Sequence, residues 1–152
     1  MPDDEEMNRR LIDFAESADC RFWSVDFAEL SPPERVFGVI WELESEVNNG
    51  GFQQYFLNSS GACVPEVVGA LKAIAANKAA ELVERAIETV GPGIQWADHE
   101  ARQEKIDVLP EATLDALDKL DQAFMAYPDN LTALLYEYVC DHRQEIGAPE
   151  DF

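Results

Sequence analysis

Basic residues are scarce in this 152-residue chain. Eleven Lys plus Arg stand against 31 Asp plus Glu, a formal net charge of −20. That deficit excludes binding to DNA, RNA or an anionic membrane through non-specific charge, which is built on Lys and Arg. Any electrostatic partner is expected to be basic or a cation. Long apolar runs are also missing. None approaches 18 residues, so no transmembrane helix is expected. The first residues, Met1-Pro2-Asp3-Asp4-Glu5-Glu6, are acidic where a secretory signal is basic and then apolar, so a cytoplasmic location is expected.

Residues that carry chemistry are few. Cys20, Cys63 and Cys140 are odd in number and far apart, without CxxC spacing, and read as reduced thiols. Cys63 stands just before a helix, where a thiol pKa can fall, but no base is visible beside it. His99 and His142 have carboxylate neighbours (Asp98, Glu100 and Asp141) but no HExxH spacing, and read as exposed helix residues. There is no GxSxG, phosphate-binding glycine loop or Cys–His signature. No metal, cofactor or catalytic residue is assigned. Strand signals are thin: Arg21–Phe27 alternates weakly, and one such segment cannot make a sheet.

Helical periodicity is abundant. Apolar residues make up 47% of the chain, enough for a core. Met7, Leu11, Phe14 and Ala18 form one stripe. Ser31-Pro32 caps a second helix carrying Val36, Ile40, Leu43 and Val47, with Glu42, Glu44 and Ser45 off that face. It should stop near Asn48-Asn49-Gly50-Gly51. A short aromatic helix with Phe52, Tyr55 and Phe56 follows, ending around Ser59-Ser60-Gly61. Pro65 opens a helix with Val67, Leu71 and Ile74. Asn77 breaks or caps before Ala79, Leu82, Val83, Ala86, Ile87 and Val90, and Gly91-Pro92-Gly93 ends that helix. One helix is expected between Asp98 and Leu109. Another carries Leu114, Leu117, Leu120 and Phe124. The last, capped by Asp129 or Asn130, carries Leu131, Leu134, Leu135 and Tyr138. Trp23, Trp41 and Trp96 read as core or rim residues. The expected class is all-α, a single domain over 1–152 of seven or eight helices, with residues 1–5 a flexible acidic N-terminus.

One segment is distinctive: Glu46-Val47-Asn48-Asn49-Gly50-Gly51-Phe52-Gln53-Gln54-Tyr55-Phe56-Leu57-Asn58-Ser59-Ser60-Gly61. It resembles the signature E-x-x-N-G-G-F-x-Q-x-F-x-N-x-x-G of a bacterial family of uncharacterised helical domains, one of whose members is described as a DNA mimic. Leu120-Asp121 with Phe124, then Asp129 and Leu131 leading to Tyr138, are similar to the family's C-terminal half. The resemblance runs from about Leu30 onward. It implies a helical domain and, for function, occupation of the DNA-binding surface of a transcription factor. It implies no catalytic residues.

The residues of that segment also have a structural reading. Asn49-Gly50-Gly51 makes a sharp exit, and Phe52, Tyr55 and Phe56 wedge the next helix onto the core. Glu46 is placed to accept hydrogen bonds from free amides of the following turn, with Gln54 and Asn58 completing a polar network. The alternative is a pocket of Glu46, Asn49, Gln53, Gln54 and Asn58 that holds a small molecule or peptide.

The carboxylates fall in rows. Residues three and four apart on a helix lie about 5–6 Å between Cβ atoms, comparable to phosphates along one DNA strand. Glu81, Glu84 and Glu88 form one row, Glu111, Asp115 and Asp118 a second with Asp121 trailing, and Glu137, Asp141 and Glu145 a third. A fourth, Glu100, Glu104 and Asp107, is interrupted by Arg102 and Lys105. Few basic neighbours offset them, whereas selection for stability alone would interleave signs. A basic DNA-binding protein is the expected partner. The competing explanation is that a run of charge on an amphipathic helix is its solvated face. An enzyme of unrecognised type ranks last.

Overall fold

The acidic start opens a helix. In the computed structural model, which describes residues 2–152, Asp3 accepts from the Glu6 amide at 2.9 Å and caps α1 (Asp4–Ala15). Asp4 and Glu5, read in sequence as flexible, form its first turn, where negative charge suits the helix dipole; Met1 lies outside the described residues. Met7, Leu11 and Phe14 face the core, but Ala18 is exposed beyond the helix end. The weakly alternating Arg21–Phe27 segment is not extended. It forms 3₁₀ turns at Arg21–Trp23 and Phe27–Glu29.

Ser31 and Glu34 then cap each other. The Glu34 amide donates to Ser31 Oγ at 3.2 Å, and the Ser31 amide donates to Glu34 Oε1 at 3.0 Å. This starts α2 (Pro32–Leu57), the spine of the fold. Phe37, Val39, Ile40, Leu43, Val47, Phe52, Tyr55 and Phe56 are all buried along it, because neighbours cover it on several sides. The expected stop at Asn48–Gly51 proves to be a break at one residue. Gly51 has φ 79° and ψ −177°, and helix resumes at once on its far side.

A 3₁₀ turn at Ser59–Cys63 leads to α3 (Val64–Ala73), α4 (Asn77–Val90), α5 (His99–Ile106), α6 (Glu111–Met125), α7 (Leu131–Asp141) and α8 (Arg143–Ile146). There are eight α-helices and no strand among the described residues. The helix α2 packs against α3, α5, α6, α7 and α8; α4 packs against α3 and α6; α1 packs against α7. Aromatic rings fill the centre: Phe52 lies 5.8 Å from both Phe56 and Phe124, and Phe56 lies 5.2 Å from Trp96.

Capping is partly long-range. The residue before α4 is Ala76, which has no acceptor, and Asn77 makes no capping bond. Asp129 supplies the acceptor instead: its Oδ2 takes the Ala79 amide at 2.9 Å. Asn130 caps α7 by accepting from the Ala133 amide at 3.1 Å. The two residues that sequence offered as alternatives for one helix therefore serve two. Asp129→Ala is expected to cost roughly 0.5–2 kcal/mol, read as a lower urea midpoint at unchanged m-value.

Candidate functional site

The distinctive segment builds a polar seam around the Gly51 break. The backbone left open there is served by Asp121 of α6, whose Oδ1 accepts the Phe52 amide at 2.7 Å. Asp121 therefore turns inward and is not the tail of a surface row. Glu46, expected to meet backbone amides, accepts from side chains instead: Gln54 Nε2 at 2.7 Å and Asn58 Nδ2 at 3.0 Å. Asn49 and Gly50 are exposed, Gln53 is half-buried, and Phe52 and Phe56 are fully buried.

Below the seam lies a residue that the sequence pattern does not single out. Arg102 is 1% exposed. It donates to Asn58 O at 2.8 Å and to Trp96 O, and stands 2.9 Å from His99 Nδ1. It thus ties the carboxyl end of α2, where a cation suits the helix dipole, to the start of α5. Gly61 permits this, because a Cβ there would stand 2.9 Å from Arg102 Cδ. Glu46, Gln54 and Asn58 are mutually engaged, whereas the side chains of Asn49 and Gln53 take no part in that network.

Of the three carboxylate rows, two lie on helices that pack together. Glu81 and Glu88 of α4 and Glu111, Asp115 and Asp118 of α6 lie at the surface; Glu84 is half-buried. Glu88 and Asp115 line one groove of about 660 Å³ between α4 and α6. Basic residues are closer than sequence suggested. Arg85 pairs with Glu81 at 3.3 Å, Lys72 pairs with Glu84 at 3.4 Å, and Arg85 and Lys119 line the groove. Glu88, Glu111, Asp115 and Asp118 have no ion pair among the described residues. The third row is discontinuous. Glu137 and Asp141 lie on α7, but Glu145 lies on α8, past a break at His142. All three are exposed.

The histidines differ. His99 is exposed, whereas His142 is half-buried with its ring stacked on Tyr138 at 4.1 Å. Trp23 is 50% exposed, its indole donating to Ala15 O at 3.0 Å.

A second buried cluster joins Glu42, Tyr55 and Cys63. Glu42 Oε1 and the Tyr55 hydroxyl are buried without a hydrogen-bond partner. Burial, then the Glu46 carboxylate, push Glu42 up to about 7, while a hydrogen bond with the Cys63 thiol works the other way. Burial together with Glu42 and Glu66 pushes Cys63 up to about 12, the reverse of the fall that its place before a helix suggested. A thiol held in that state is no nucleophile near neutral pH. The consequence for stability has a definite sign. Folded Glu42 keeps its proton up to about pH 7, and the unfolded chain releases it near 4.5. Between these values the folded state binds more protons, so stability falls as pH rises through the window and levels off above it. Glu42→Gln should match the parent near pH 4.5 and exceed it at pH 8, on the order of 2 kcal/mol. Urea midpoints across that range check this.

Among the described residues no group of three or more His, Cys, Asp or Glu is placed to hold a metal ion. No helix there is long and apolar enough to cross a membrane. No curated protein and no solved structure gives a significant match to the chain. A family model described as DMP19-like protein matches residues 28–142. That span runs from the turn before α2 to the break after α7, and takes in the Gly51 seam and both packed carboxylate rows. The chain belongs to the DMP19-like family.

Proposed function

We propose that this protein occupies the DNA-binding surface of a basic protein, such as a transcription factor or nucleoid protein, in place of DNA and without catalysis. The observation that carries this reading is the pair of carboxylate rows on the neighbouring helices α4 and α6. Four of their six members have no ion pair among the described residues. A basic surface would turn their mutual repulsion into attraction and speed encounter. Family membership supports the reading, since the resemblance is to a group that includes a DNA mimic. The net charge of −20 also exceeds the magnitude of about 2–8 that solubility asks of a small domain. A cytoplasmic location accords with such a partner. The pocket alternative has less behind it, because Glu46, Gln54 and Asn58 already satisfy one another.

The test is affinity capture from the source cell's lysate at low salt, eluted with a salt gradient and identified by mass spectrometry. One or a few DNA-binding proteins, displaced by duplex DNA, is the expected result. Retention of nothing basic beyond a charge-matched control would reject the proposal.

A further inference from the structure

A groove of about 380 Å³ lies apart from the carboxylate rows, between α1, α2 and the turn that leads into α7. Its lining includes Asn8, Ile12, Trp41, Glu44, Asn48 and Tyr127. The spacing explains the α2 side: Trp41, Glu44 and Asn48 follow i, i+3, i+7 and share one helical face. The opposite wall depends on an unusual backbone. Tyr127 has φ 52°, a left-handed conformation that a bulky residue rarely takes. Its hydroxyl accepts from Asn48 Nδ2 at 2.7 Å. The ring stays 40% exposed.

The chemistry of this lining is specific. Trp41 stacks one face on Phe37, with centroids 5.6 Å apart and planes at 17°, and gives its remaining surface to the groove. Glu44 is half-buried, and burial raises its pKa. No Lys or Arg pairs with it among the described residues. An anion would be repelled here, and an apolar ligand would leave the carboxylate unmet. A planar cation meets both demands, donating hydrogen bonds to a carboxylate while its flat face lies on aromatic rings.

We propose that this groove binds the guanidinium group of an arginine presented by a basic protein partner. The proposal rests on the partner chemistry inferred above and names the one side chain that would anchor it. The rows would supply diffuse attraction, and the groove a fixed point of contact.

The test titrates the full chain with N-acetyl-arginine amide and, separately, N-acetyl-lysine amide. The readout is the Trp41 indole N–H resonance in ¹H–¹⁵N spectra, assigned with Trp41→Phe. The arginine amide should give a saturable shift, and the lysine amide one at least about fivefold weaker, because an ammonium cannot stack. Glu44→Gln should weaken the arginine amide about tenfold, and Glu66→Gln, at an exposed carboxylate of α3 outside the rows and the groove, should leave it unchanged. If Glu44→Gln disturbs the Trp23 and Trp96 resonances, Tyr127→Ala decides in its place, with a loss of a few-fold expected from removal of an aromatic ring that lines the groove. A Trp41 resonance that does not saturate, equal responses to the two amides, or indifference to these variants would overturn the proposal. The two readings fail separately. Capture of a DNA-binding protein by a chain whose groove ignores arginine sinks only the groove, and an arginine-binding chain that captures no such protein sinks only the mimicry.

Discussion

Replacing Gly51 with alanine is expected to destabilise the protein by about 3–5 kcal/mol. Two losses combine. At φ 79° and ψ −177° the backbone sits where only glycine rests without strain, at a cost on the order of 1–3 kcal/mol for any other residue. A Cβ would also stand 2.8 Å from Asp121 Cγ, so the carboxylate must move off the Phe52 amide. An amide left unpaired inside a helix break costs about 1–3 kcal/mol more. Thermal unfolding should shift down by about 10 °C for a domain of this size. Gly69→Ala is the control. That glycine lies in α3 with nothing within 4 Å of the place a methyl group would take, and the change should be neutral or stabilising by about 0.5–1 kcal/mol. Equal losses at both sites would show that the break at Gly51 carries no special constraint.

Neutralising the two packed rows is expected to lower affinity for the captured basic partner by about 100-fold at low salt. The variant carries Gln at 81, 84, 88 and 111 and Asn at 115 and 118. Six contacts of roughly 0.5 kcal/mol each, the scale of exposed charge pairs, sum to about 3 kcal/mol. The dependence of affinity on salt should flatten in the same variant, because fewer charges are brought together. Stability should change little. Relief of like-charge repulsion, about 0.2–0.5 kcal/mol per pair, offsets the lost Glu81–Arg85 and Glu84–Lys72 pairs. The triple variant of Glu137, Asp141 and Glu145 removes half as many charges from α7 and α8, and a smaller loss is expected. Fluorescence anisotropy of labelled partner measures all three proteins. Unchanged affinity in the six-site variant would remove the rows from the interface.

The helices were legible because their apolar stripes are local. Val67, Leu71 and Ile74 are buried as their spacing implies, and Ser31 and Asp98 cap the helices that follow them. The seam was legible only as composition. Asn49-Gly50-Gly51 announced an interruption, but nothing near Phe52 in sequence names Asp121 as its acceptor, 69 residues away. A signal did exist: Asp121 falls between Leu117 and Phe124 at helical spacing, a carboxylate on an apolar stripe. Arg102 offered less, being one of two interruptions in a weak acidic row, with Ile106 a turn later as the only sign that its face is buried. The rows were visible residue by residue. Their placement was not, because only helix packing decides that α4 and α6 are neighbours and that His142 divides the third row.

Long-range caps also bear on the order in which this chain acquires structure as it leaves the ribosome. The amide at Ala79 is completed by Asp129, 50 residues later, and the amide at Phe52 by Asp121. At about 5–20 residues per second, the start of α4 waits roughly 3–10 s for its acceptor to be synthesised. Ser31 Oγ donates to Glu145 O at 2.9 Å, a tie whose second half arrives later still. No N-terminal portion ending before α6 contains a finished spine. Folding of the nascent chain should therefore be late and abrupt, and arrest-peptide force profiles should show little tension until Asp129 has cleared the exit tunnel.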